Sequence, residues 1–130
     1  MLSTEDARNR ARKSLASVLP RRWKHVEKVA HRAETVRPRL HGGNQLVVAC
    51  WLHDVGYAPA LNEVGFHPLD GARAARRWGV DDTVCGLIAY HSSAAHEAEV
   101  LGLSDQLQSF TDPPGLGRVS EIGGSGCAML

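Results

Sequence analysis

The chain has 130 residues, a net charge of +1 and 43% hydrophobic residues. That is one domain's length, with enough apolar content for a real core. A near-neutral charge gives no electrostatic case for a nucleic-acid polymer or an anionic membrane.

The longest apolar run, Leu46 to Leu52, is far too short to span a bilayer. The first residues, MLSTEDARNRARKS, carry acids and lack an apolar signal core, so a cytoplasmic protein is expected. Three scattered cysteines (Cys50, Cys85, Cys127) suggest reduced thiols.

In chain order, Ser3 or Thr4 can cap a first helix with Glu5 and Asp6 in its first turn. Leu15, Val18 and Leu19 give it an apolar side, and Pro20 stops it. A second helix spans about Arg21 to Val36, ending before Pro38. His25, Val29, Ala33 and Val36 share one of its faces. HGGN, at 41–44, is a loop. Asn44 can cap a third helix, Gln45 to about Asp54, apolar nearly all round and therefore central. Gly56 suits its C′ position.

Residues 57–66 form an irregular connection with a short helical turn. His67-Pro68-Leu69-Asp70 starts a helix, with His67 as cap and Pro68 first inside, and that helix ends at Trp78-Gly79. Asp81 or Asp82 caps a fifth helix, on which Val84, Leu87, Ile88 and His91 recur at helical spacing. A sixth helix covers about Ala94 to Leu101, and Ser104 starts one more turn. Residues 111–130, rich in Gly, Pro and Ser, read as a loose tail. The expected architecture is all-α, a single-domain helical bundle over about 1–110.

Seven histidines punctuate this chain. His25, His53, His67 and His91 lie on four helices, each facing inward or sitting at a helix end. His31, about 240° round its helix from His25, should face solvent. His41 lies in the glycine loop and His96 on a polar face. Singly, each inward residue has an ordinary explanation. His25 or His91 can be a core histidine with one hydrogen bond, His67 a cap, and Asp54 a helix-end residue or an arginine's partner. Together they read H-x27-H-D-x12-H-x23-H. A buried carboxylate costs free energy unless paired, and a divalent cation shared with the imidazoles would remove that cost. The ligand types suit Mn, Fe, Ni, Co or Zn, with Mg possible.

The segments RWKHVEKVAHRAE, VACWLHDVGYAP, GFHPLDGA and AYHSS resemble, in order, the metal-binding segments of the HD-domain superfamily. The likeness covers about residues 20–110. It implies an all-α fold and metal-dependent phosphohydrolase activity on a nucleotide or other small phosphorylated metabolite. His25, His53 and Asp54 would hold a metal that activates water. Asp54 and His53 would be the catalytic pair, Asp54 orienting or deprotonating that water. His67 and His91 would bind a second ion or the phosphate.

The chain departs from the family pattern at two points. Tyr57 follows Gly56 where many members have Lys, leaving Lys24, Arg73, Arg76 and Arg77 as candidate phosphate contacts; the three arginines also read as a solvated helix face. No further helix carries the family's closing Asp, for which only Asp105 and Asp112 are in range. The loss would uncover apolar surface that a homodimer could bury. A non-catalytic, truncated relative that binds a metal, nucleotide or protein partner is the rival reading. A di-iron oxidase ranks behind both.

Overall fold

The Ser3 hydroxyl accepts the backbone N–H of Asp6 at 3.0 Å, and the Asp6 carboxylate reaches back to the Ser3 N–H. This capping box starts α1 (Thr4–Leu15). The structure is a computed structural model and describes residues 2–37, 43–113 and Val119. Along α1, Ala7, Ala11 and Leu15 are buried at i, i+4, i+8. Val18 lies beyond the helix and is exposed. Pro20, expected to stop α1, instead opens α2 (Pro20–Val36), because a first-turn residue needs no amide hydrogen.

The central helix α3 (Gly43–Leu52) buries every residue from Leu46 to Leu52. Asn44 was expected as its cap but lies inside the helix, where its side-chain oxygen accepts from Arg37 Nη1 at 3.1 Å. The helix also stops two residues short of the expected end, so His53 and Asp54 form the turn that follows it. A 3₁₀ turn at Val55–Tyr57 and another at Pro59–Leu61 occupy the irregular connection.

Helix α4 (His67–Arg77) has Phe66 as its cap. His67 is therefore the first helical residue, and the Asp70 amide already bonds the Phe66 carbonyl at 3.0 Å. Helices α5 (Asp82–Ala89), α6 (Ala94–Leu101) and α7 (Ser104–Leu107) complete the described elements. Asp81, not Asp82, caps α5, accepting from Val84 N–H at 2.8 Å. The described residues contain seven α-helices and no strand, an all-α fold.

Helix α3 is the hub, packing on α1, α2 and α5, while α4 packs on α5 and on the 3₁₀ turn after α3. Gly56 explains the last contact. It does not take the left-handed conformation expected of a C′ glycine. Its role is closeness: a Cβ there would collide with the His67 carbonyl oxygen and stand 2.7 Å from the Gly71 nitrogen.

Two described residues beyond 110, Thr111 and Val119, are packed against the bundle. A Cβ on Gly86 of α5 would strike the Thr111 carbonyl, and Val119 is buried. The remainder of the expected tail, like His41 and Pro38, lies outside the described residues. Cys50 and Cys85 are buried and in no disulfide, and Cys127 is also outside the described residues. No described helix is long and apolar enough to cross a membrane.

Candidate metal centre

Asp54 sits at the meeting point of α2, the α3 terminus, α4 and the end of α5. His25 comes from mid-α2, on the face carrying Val29 and Ala33. His53 and Asp54 leave the hub helix. His67 opens α4, drawn in by the Gly56 contact. His91 follows the last turn of α5, whose face buries Val84, Leu87 and Ile88. All five inward residues expected from the sequence thus converge. His31 and His96 are exposed, as their helical positions require, with His31 edge-on to Trp51.

The five residues form two candidate ligand groups, His25–His53–Asp54 and Asp54–His67–His91, each with its ligand atoms within 4.8 Å of one another. Asp54 belongs to both. Its Oδ2 lies 3.4 Å from His53 Nε2, and its Oδ1 lies 3.6 Å from His67 Nε2 and 3.8 Å from His91 Nε2. His53, Asp54 and His91 are essentially inaccessible to solvent.

Protonation decides what these contacts are. Burial pushes His53 down to about 3, His91 to about 4 and His67 to about 2, and it also lowers His25. The imidazoles are therefore neutral at pH 7. The Nδ1 of His53 lies 2.7 Å from the Cys50 carbonyl, and that of His91 lies 2.6 Å from the Ile88 carbonyl. A carbonyl only accepts, so both Nδ1 atoms carry the hydrogen and both Nε2 atoms are bare. Those lone pairs face the Asp54 carboxylate, which in its ionised form also only accepts. His67 Nε2, 3.1 Å from His91 Nε2, is then the donor of that contact.

The result is a buried cluster of acceptors short of donors. His25 Nε2 and both Asp54 oxygens have no hydrogen-bond partner. Burial raises the Asp54 pKa, against the lowering effect of His91, Arg22 and His25. Arg22 Nη1, 3.5 Å from Asp54 Oδ2, offers partial compensation. Unsatisfied buried acceptors are costly, and a divalent cation satisfies them. The Nδ1-to-carbonyl bonds of His53 and His91 are also the usual support of metal-bound imidazole. The residues present therefore fit a metal.

Arg22 was missed in the sequence. It stands three residues before His25, one turn away on the same helix, which was the available signal. Its guanidinium carbon lies 4.1 Å from the Tyr57 ring centroid. Three of the candidate phosphate contacts are engaged by other partners. Arg73 bonds Gln106 at 2.7 Å and pairs with Glu63. Arg76 bonds the Ser109 carbonyl and covers the Phe110 ring, and Arg77 pairs with Glu63 at 2.8 Å. Lys24 is exposed on α2. Asp105 and Asp112 are both exposed and belong to neither ligand group.

The sequence profile described as "HD domain" matches residues 22–113. The chain belongs to the HD-domain family. This is a superfamily of metal-dependent phosphohydrolases whose domains bind divalent metals. The HD-domain chain is also 38% identical over 78 residues to a protein named Ribonuclease Y from Acidothermus cellulolyticus. The match covers 59% of this chain and 15% of that relative's length. No solved structure matches it.

Proposed function

We propose that this HD-domain protein hydrolyses a phosphate ester or anhydride of a nucleotide or other small phosphorylated metabolite, using one or two divalent ions. The observation that carries this reading is the sharing of Asp54 by two ligand groups. His25, His53 and Asp54 would hold one ion, and Asp54, His67 and His91 the other. Mn, Fe, Ni, Co and Zn suit this imidazole-rich set. When bound, such ions supply a water of lowered pKa and polarise a phosphoryl oxygen.

The chain's own residues do the rest. Asp54 orients the attacking water. That water's oxygen bonds to phosphorus, and the ester or anhydride oxygen leaves with the bonding electrons and takes up a proton. Arg22 is part-buried and stacked on Tyr57, so its guanidinium can fork onto two phosphate oxygens. It takes the role expected of Lys24, Arg73, Arg76 or Arg77.

The test combines metal content by mass spectrometry with turnover of p-nitrophenyl phosphate in Mn²⁺, for wild type and Asp54→Ala. Bound metal and chelator-sensitive turnover in wild type, both lost in the variant, support the proposal. Metal without turnover on aryl phosphate, nucleotides or an RNA oligonucleotide would favour the non-catalytic reading. RNA belongs in that panel because the relative is named a ribonuclease.

A further inference from the structure

A cavity of about 370 Å³ opens directly beside His67. That volume falls within the range of small-molecule sites, about 300–1,000 Å³. Its walls combine the rings of Tyr57 and Phe66 and the side chain of Leu101 with two polar groups, Asn62 and Glu97. Neither Lys nor Arg is among its described lining residues. His67 both lines this cavity and faces Asp54, so a phosphoryl group held at Asp54, His67 and Arg22 would have the cavity beside it for the rest of its substrate.

Glu97 sets the chemistry of the cavity. The Ser93 hydroxyl, one turn earlier, donates to its Oε1 at 2.7 Å, at the exposed side of the cavity. A leaving group with hydroxyls can donate to Glu97 and Asn62 while its flat or apolar parts lie on Phe66 and Tyr57. A leaving group bearing another phosphate would meet a carboxylate with no cation among the described lining residues to offset it.

We infer that this cavity receives the leaving group and that Glu97 restricts it to a neutral, hydroxyl-bearing one. The substrate class is then a phosphate monoester of a sugar or nucleoside, not a nucleoside di- or triphosphate. This inference rests on the phosphohydrolase reading.

The experiment measures calorimetric binding of adenosine mono- and diphosphate to the Mn²⁺-loaded protein, as wild type, Glu97→Gln and Glu97→Lys. Metal content and p-nitrophenyl phosphate turnover are followed alongside. Wild type should bind the monophosphate about tenfold tighter than the diphosphate, and Glu97→Lys should erase or reverse that preference. Glu97→Gln should fall between them, with metal content unchanged throughout. Equal or tighter binding of the diphosphate by wild type, an unchanged ratio in Glu97→Lys, or no binding of either nucleotide at millimolar concentration would overturn the inference. Absent turnover with the binding preference intact would instead count against the hydrolase reading alone.

Discussion

Tyr57 and His67 stack with ring centroids 3.9 Å apart and planes inclined by 15°. Because His67 covers one face of the phenol, Arg22, 4.1 Å from the ring centroid, takes the other. Tyr57 thus orients a candidate metal ligand and a candidate phosphate contact together. Tyr57→Phe should keep both contacts and leave metal binding unchanged. Tyr57→Ala should weaken the ion at His67 and His91 by roughly tenfold or more, as loss of a supporting neighbour does. Metal titration of the two variants checks this, and equal affinities would remove the role assigned to the ring.

Because only Asp54 is common to both ligand groups, single substitutions should separate them. His25→Ala should lose one ion and keep the other, and His67→Ala should do the reverse. Asp54→Ala should lose both. Metal-to-protein ratios after gel filtration decide the matter. Retention of the full complement by either histidine variant would refute the two-group arrangement.

Much of this centre was legible because helical periodicity carries the histidines inward. His25 shares a face with Val29 and Ala33, and His91 continues the Val84–Leu87–Ile88 stripe. What escaped depended on main-chain geometry. The expected cap at Asn44 failed because the helix already includes it, and its side chain meets Arg37 instead. Gly56 read as a helix terminator, whereas its function is to let two backbones touch. Arg22 looked like any surface basic residue until Asp54 and Tyr57 were placed beside it. No local pattern reports which arginine of twelve will meet a buried acid.

Asp54→Asn should stabilise the metal-free protein while abolishing metal binding. The amide removes a buried charge and brings a donor to the bare Nε2 atoms around it. Losing the Arg22 pair offsets part of the gain. Relief of unsatisfied buried groups is worth about 1–3 kcal/mol, roughly 5 °C in Tm. Thermal melts in chelator check the sign. A lower Tm for the variant would mean that Asp54 is already well compensated without metal.

Acid should weaken the metal-free protein before ordinary carboxylates titrate. In the unfolded chain, histidines take up protons near pH 6.5, but His91 and His53 resist until about 4 and 3. Between those values the unfolded state binds more protons, so stability falls as pH falls. Asp54 acts oppositely, since its raised pKa lets the folded state take a proton first. The histidines outnumber it, and the net slope should follow them. Urea midpoints at pH 7.5, 6 and 5 should decrease in that order, more steeply in Asp54→Asn. Flat midpoints would mean that the buried imidazoles are already protonated or already exposed.

Asp70 should be the costliest acid to remove outside the centre. Its buried carboxylate accepts the backbone N–H groups of Glu63, Val64 and Gly65, each at 3.1 Å. Asp70→Ala should cost about 3 kcal/mol or more, because it orphans three donors at once. Removing the single-bond cap at Asp81 should cost about 1 kcal/mol. Denaturant midpoints of the two variants give the comparison, and limited proteolysis should find new cleavage at 62–66 only in the first.

The meeting of Gly56 with the start of α4 has a wider implication. Side chains can trade rotamers when a neighbour changes, but two abutting main chains have nothing to trade. The separation between the paired ligand sets is therefore ruled by peptide thickness and not by how the surrounding core is filled. Aliphatic residues of the hub can drift in identity without altering that gauge. One methyl group at position 56 would act as a shim, parting the two halves of the centre while leaving every ligand in the sequence.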